Sequence, residues 1–586
     1  MGNVTSGRSF AADPIVAAPG PLPPIWQQQL VHTTVDENVG LPDAATLTFH
    51  DPKHELLAAT GITIGSKLEV SLSVVNGAPE PLFTGEVTAL EVDSDTASGT
   101  FTVVRALSKA HRLFRNRRVI AFRNMTADAI VRKVIQTAGL VPGRIQAERI
   151  SYPQLSQAGV TDWEFLQDLA RQHGTVLRVD RLGKVDFVKP KPAMKAPPPT
   201  TSAKQNPFLL EYGRNLKILR AVLTAAGQAD SVQVRGWNVD TKTATVANQA
   251  ATKSKTVLPG LTGAKVNGAF GKATALATDT PYGNQAETTA AARSLAESIS
   301  AGLGEIEAVV DGDPRLRAGT PVALGNVGPA FSGRYTATAV HHVLDPDAGY
   351  RTTVLVSASP DRSLGGLTMP AASTPRLPGV ATAIVTDVRE TGGAQRGWVK
   401  LKFPWLDATY QTDWVRTVQF GGLGGGGVFS PDVNDEVLVA FEQGLLDRPY
   451  VLGGLYNGKD VPSPHKLPLV DRMGKVNRRS LVSRKGHRLE LIDGTTGPPG
   501  VRIASGNDRL EVRLDETGNK IDITVFAPGG RRALSSLSLT PQGITIDAGN
   551  GTLNLSGASV SIDARTRIGI DGGALATLRG RMVRIN

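Results

Sequence analysis

The stretch GITIDAGNGTLNLSGASVSIDARTRIGI, residues 543–570, decides how this chain reads. Its apolar residues come in pairs two apart: Ile544/Ile546, Leu553/Leu555, Val560/Ile562 and Ile568/Ile570. The series continues as Leu575/Leu578 and Val583/Ile585. First members step by 9, 7, 8, 7 and 8 residues, with Gly, Asp and Asn between them, an internal repeat of about eight residues. A strand of two apolar residues per repeat has no interior of its own, because a single-chain β-helix rung takes roughly 20 residues. Three chains wound together supply one, each giving a strand per rung. Residues 487–586 are therefore expected to form an intertwined trimeric β-helix, with Ile544, Leu553, Val560 and Ile568 in its core. Each buried position contributes roughly 1.5–3 kcal/mol. A single-chain β-sandwich is the alternative for this tail.

Working toward the N-terminus, residues 459–486 read as a linker. Residues 379–458 carry five alternating runs, Ala381–Val388, Gly397–Phe403, Thr412–Phe420, Glu436–Glu442 and Tyr450–Leu455. Five short strands in about 80 residues suit an OB-fold barrel. Trp398, Phe403, Trp405, Trp414 and Phe441 are expected to build its core or its junctions. Residues 360–378, rich in Pro, Gly and Ser, read as a second linker.

Residues 25–359 show short alternating runs with two strong helix signals. Thr126 precedes apolar residues at helical spacing up to Gly139, and TDWE (161–164) is a capping box closed by Gly174. A third helix is expected over 287–300. Trp163 and Phe165 are expected in a core. Residues 1–24 read as a flexible arm. The fold class is thus mainly β with a minor α component.

Composition narrows the chemistry. The chain has no cysteine, which excludes disulfides, thiolate metal sites and cysteine nucleophiles. The net charge of +11 over 586 residues is modest. Two basic clusters, Lys109–Arg123 and Lys475–Arg488, lack the interleaved aromatics of a single-strand binding platform. GGLYNGK (453–459) begins like a phosphate loop, but Asp460 replaces the hydroxyl residue and VPSP (461–464) forbids the helix. GLGGGG (422–427) runs into a strand rather than a helix. The nine histidines form no HExxH and no serine stands in a GxSxG elbow. No catalytic residue, cofactor site or metal site is expected. No apolar run is long enough to span a membrane, and the first residues do not form a signal peptide.

Several stretches resemble the VgrG-like spike proteins of contractile injection systems, especially the fused hub–spike proteins of phage-tail-like particles. In the hub they are HRLFRNRR (111–118), FRNMT (122–126), TDWEFL (161–166), GDPRLRAG (312–319), FSGRY (331–335) and GYRT (349–352). In the barrel they are GWVKLKFPW (397–405), WVR (414–416), DEVLVAFE (435–442) and DRPYVLGGLYN (447–457). The resemblance implies hub β-barrels with a helical insert, an OB barrel and a needle, assembled as a homotrimer. It implies contacts with inner tube and baseplate proteins at the hub, and a PAAR-type tip protein at Met582, Val583, Ile585 and Asn586. It also implies a non-enzymatic piercing role, with effector cargo as a separate partner and no specific nucleic acid. Synthesis and assembly would be cytoplasmic, in a particle that is released or acts at the envelope. Two competing readings are a cell-wall-degrading spike enzyme, which needs a carboxylate pair in a cleft, and a nucleic-acid-binding OB protein.

Overall fold

The structure is a computed structural model. It describes residues 10–585 except 75–76, 97–98, 181–182, 239–240, 242, 279, 281, 346–347, 358–378, 394, 466 and 495–497. The linker expected at 360–378 lies outside the described residues, as do residues 1–9 and Asn586. The chain is mainly β with a minor helical part. It divides into two compact units, Met1–Leu455 and Tyr456–Asn586.

The first unit is built on a ten-stranded sheet. Its spatial order is Phe10–Ala17, Lys67–Val74, Gly77–Asp95, Gly99–Leu107, Ala44–His50, Leu30–Asn38, Ala339–Asp345, Gly349–Val356, Gly304–Asp311 and Leu216–Leu223. Strands from before and after the helical insert meet where Leu30–Asn38 pairs antiparallel with Ala339–Asp345, Val35 opposite His342. Alternation places Leu47, Phe49, Leu68, Leu72 and Val104 in one core, and Ala308, Val310, Leu324 and Val354 in a second.

Of the flexible arm expected over 1–24, Phe10–Ala17 is a strand instead, and residues 1–9 lie outside the described residues. Phe10–Ala17 pair antiparallel with Lys67–Val74, Val16 opposite Val70. An edge strand tolerates a proline whose missing N–H faces away from the ladder, so Pro14 does not break it.

The insert carries the helices Ala127–Thr137 and Asp162–His173. In the second, the Glu164 amide donates to Thr161 Oγ1 at 3.1 Å and the Thr161 amide donates to Glu164 Oε2 at 2.8 Å. This box satisfies two amides that the first helical turn leaves without partners. Thr161→Ala is expected to lower stability by about 1 kcal/mol. Faster amide exchange at Asp162–Phe165, with the barrel unchanged, would register it. Trp163 and Phe165 lie in the insert core beside Ile130, Val134 and Leu169. A third helix, Gln285–Ala301, covers the sheet Thr243–Ala250, Ser231–Asn238 and Thr274–Ala277 through its small alanines.

Residues 380–454 form the five-stranded barrel. The order is Lys400–Lys402, Val380–Asp387, Glu436–Phe441, Pro449–Gly454 and Arg416–Thr417. Reciprocal amide bonds between Val399 and Val415, at 3.0 and 2.8 Å, close the ring. Closure removes the free sheet edges.

The second unit is an antiparallel meander in which every strand pairs with its neighbour in sequence. Its strands are Arg478–Val482, Arg488–Ile492, Gly500–Ala504, Leu510–Asp515, Lys520–Phe526, Ala533–Thr540 and Gly543–Asp547. The meander begins inside the segment read as a linker over 459–486. From 548 to 585 no strand forms in the single chain among the described residues, and the side chains there are exposed.

Candidate functional site

The barrel is fastened to the insert through a buried polar seam. The hairpin Arg117–Thr126 and Ser151–Thr161 lays Val119, Ala121 and Ala158 against the barrel core. Beside them the Ser156 amide donates to Asp447 Oδ2 at 3.0 Å. The Tyr410 hydroxyl bonds Ser156 Oγ at 2.8 Å and accepts from Gln154 Nε2 at 3.1 Å. Burial pushes the Asp447 carboxyl above its ordinary value. The aspartate of DRPY therefore has a positioning role, holding the hairpin in register on the barrel. Sequence reading quotes this residue without a role, because its partner stands 291 positions away.

Within the barrel, Phe403 and Phe441 pack with Val385, Leu401, Val437 and Tyr410 in the core. The three tryptophans do not. Trp405 is about half exposed, with Nε1 donating to the Thr382 carbonyl at 2.7 Å. Trp398 lies under the Arg396 guanidinium at 3.6 Å, and Trp414 under Lys400 at 4.9 Å. The narrow interior is filled by Val, Leu and Phe, while indoles with an N–H to satisfy sit at the rim beneath cations.

The two basic clusters are largely engaged. Arg112 pairs with Glu86 at 2.6 Å, and Arg118 with the buried Asp162 at 3.1 Å. Arg123 donates to the Gln411 carbonyl. In the second unit Arg478 and Arg488 flank the fully buried Glu490. Among the described residues, no group of three or more His, Asp or Glu has metal-binding geometry.

Buried histidines make the first unit acid-sensitive. Burial holds His173 down to about 4, and burial followed by the Arg317 and His341 charges holds His342 down to about 3. The unfolded chain takes up protons at these sites near pH 6.5 and the folded chain does not. Their stabilisation is therefore present above about pH 6.5 and lost as pH falls toward 4. His341 beside Asp36 is raised, so its opposite contribution is lost as pH rises. The melting temperature is expected to fall between pH 7 and pH 5, and His342→Asn to flatten that slope.

The meander of the second unit separates its side chains sharply. One face carries two apolar rows crossing the strands. The first runs Leu481, Leu489, Ile503, Val512, Ile523, Leu537, Ile546. The second runs Leu491, Val501, Leu514, Ile521, Leu539, Ile544. The opposite face carries a polar row, Ser480, Glu490, Arg502, Arg513, Asp522, Ser538, Thr545. Glu490 lies under the segment holding His465, whose Nε2 is 3.1 Å from Glu490 Oε2. On the apolar face Leu491, Ile503, Leu514 and Ile523 are exposed.

The residues singled out from the repeat follow the same pattern. Ile544, Leu553, Val560 and Ile568 are 51–68% exposed in the single chain. Met582, Val583 and Ile585 are also exposed. Contiguous apolar exposure on this scale marks an association surface.

Taken together, the fold is that of a multidomain β protein with an injector-type OB barrel and an uncovered apolar sheet face. The family model for the Alg8 N-terminal domain matches residues 50–345, half of the chain, and the chain belongs to that family. A second family model, the type VI secretion system/phage-baseplate injector OB domain, matches residues 381–456. In sequence the chain is similar to the type VI secretion system spike proteins VgrG1b (30% identity over 160 residues) and VgrG5 (41% over 102 residues) of Pseudomonas aeruginosa. These matches cover 25% and 16% of this chain, and 21% and 13% of the relatives, so the chain spans about a fifth or less of their length. In structure it is similar to the E. coli c3393 protein, a type VI secretion component, at 15% identity and a TM-score of 0.45. That match covers 77% of this chain and all of the other. It is also similar to a chain of the Francisella PdpA–VgrG complex at 10% identity and a TM-score of 0.47, covering 93% and 88%.

Proposed function

We propose that three copies of this chain form the non-enzymatic central spike of a contractile injection particle. The observation that carries this reading is the pair of apolar rows exposed on one face of the meander. Their spacing of two residues recurs in the pairs Leu553/Leu555, Val560/Ile562 and Ile568/Ile570 beyond the last strand. Three such faces turned toward a common axis bury both rows, and the repeats that follow gain ladder partners from neighbouring chains. The polar row beyond the buried Glu490 then faces water, while Glu490 stays under the covering segment of its own chain. Strands crossing the axis place their hydrogen bonds along it, about 4.8 Å apart, so a load along the axis meets a continuous ladder.

In this reading the C-terminal Met582, Val583, Ile585 and Asn586, repeated three times, seat a tip protein of the PAAR type. The hub sheet meets the inner tube and baseplate. Its edge strands, Phe10–Ala17 and Leu216–Leu223, each pair on one side only among the described residues, which leaves both available to neighbouring chains. Assembly takes place in the cytoplasm. No helix of the described residues is long and apolar enough to cross a membrane.

Because the chain has no cysteine, introduced thiols report on the axis directly. Val560→Cys, facing inward, is expected to oxidise readily to disulfide-linked dimers within the trimer, where Cα atoms approach within about 7 Å. Ser561→Cys, facing outward, is expected to remain monomeric on a denaturing gel. Equal cross-linking at the two positions would contradict the inward assignment.

A further inference from the structure

The first unit contains a cleft of about 2580 Å³ between the insert, the Gln285–Ala301 helix and the loops 189–195 and 253–256. Small-molecule sites usually measure about 300–1,000 Å³, so this one is of polypeptide size. Its charge is one-sided. Lys191, Lys195, Lys253, Lys255 and Arg293 line it, and none forms an ion pair among the described residues. The lining carboxylates are mostly engaged. Glu148 holds Lys189 at 2.6 Å. Glu297 accepts from the Lys255 amide at 2.8 Å and from Ser254 Oγ at 2.7 Å. Glu287 accepts from the Gly283 amide at 3.0 Å. Glu287, Glu297 and Asp413 keep their charge, but the lining's eleven Lys and Arg residues outnumber its seven carboxylates.

The cations are held together by backbone rather than scattered. The Ala193 amide, between Lys191 and Lys195, donates to the Lys255 carbonyl at 2.8 Å, and Thr336 Oγ1 donates to the Lys191 carbonyl at 2.7 Å. Pro190 and Pro192 stiffen the loop. Burial, followed by Arg178, Arg144 and Lys195, holds the Lys191 ammonium below its ordinary value, the condition of a cation lacking its anion.

We propose that this cleft docks an extended acidic segment of a partner protein. Carboxylates along such a segment complement the lining lysines, and the uncharged lining residues Val188, Leu276, Ala277 and Leu295 accept its backbone and apolar side chains. A polypeptide is favoured over nucleic acid because the lysine-bearing loops 189–195 and 253–256 contain no aromatic residue, and Tyr152, Trp163 and Phe165 of the lining are buried rather than offered for base stacking. The site is separate from the needle and does not depend on the trimeric reading.

The test uses the full chain and a fluorescein-labelled peptide of alternating glutamate and glycine, about a dozen residues long (~40 Å extended). Binding measured by anisotropy is expected, weakening roughly tenfold between about 50 and 200 mM salt. The quadruple variant K191E/K195E/K253E/K255E is expected to lose at least about tenfold in affinity. Its solution mass and melting temperature should match the parent. A milder pair, K191A/K255A, should lose several-fold and guards against misfolding of the quadruple variant. A glutamine–glycine peptide should not bind. Failure of the acidic peptide to bind at low salt, or equal binding by the variants, overturns the proposal. So does an oligothymidine that binds as tightly and is lost in parallel, because the site would then be a general polyanion patch.

Discussion

Glu490→Gln is expected to destabilise the meander of the second unit by about 3–5 kcal/mol. The Glu490 side chain is fully buried. Its Oε2 is 3.1 Å from both His465 Nε2 and Arg502 Nη1, and its Oε1 faces Arg488 Nη1 at 3.6 Å and Arg478 Nη1 at 4.0 Å. One carboxylate thus compensates arginines from three strands, its own included, and meets the His465 imidazole of the covering segment. Arg502 keeps Asp508 and Glu511 when the charge is removed. Arg478 and Arg488 keep only neutral partners, the Leu467 and Gly486 carbonyls and Ser480 Oγ. The cost is therefore that of leaving buried guanidinium groups uncompensated, far larger than the loss of an exposed pair. Amide exchange at Arg478–Ala504 is expected to quicken strongly, while Val380–Phe441 in the barrel keeps its protection. Unchanged exchange at both places would show that the cluster is not what holds the first strands together.

The second large effect lies on the opposite face. Ile523→Asp combined with Leu537→Asp puts two carboxylates side by side in one apolar row, since these residues are register partners. In a trimer the change is repeated three times around the axis, so six charges meet where none can be hydrated or paired. The assembly is expected to fall apart into single chains. In one chain the same positions are already in contact with water, so the meander itself should survive. Thr545→Asp, on the polar row, should leave the assembly intact. If the apolar-row variant assembles as the parent does, these rows do not face the axis.

Much of this architecture is legible in the primary structure because β alternation is local. The pair Ile544/Ile546 marks the one-sided strand Gly543–Asp547 without knowledge of any partner. The capping box at Thr161 is legible because its two partners stand three residues apart, and Phe403 and Phe441 lie among alternating residues of the barrel core. What escapes is set by distant partners or by position in a sheet. Asp447 and Ser156 are far apart in sequence, as are Arg123 and Gln411, so no spacing announces the seam. Phe10–Ala17 looks like an arm because residues 1–24 are rich in Pro, Gly and Ala, yet an edge strand accepts Pro14. The barrel tryptophans look like core by size, but Trp398 and Trp414 serve as platforms for Arg396 and Lys400. Glu490 has no signal in the sequence, since only the register brings the arginines of neighbouring strands to it.

The central claim is that the apolar face of the meander is covered by two further copies of the same chain. The mass of the intact protein in solution, by light scattering after size exclusion, tests it most directly. The expected value is about 185 kDa, three times the 61.7 kDa of one chain. A stable species of 61.7 kDa with the second unit folded would contradict the claim, because that chain would be keeping both apolar rows in water.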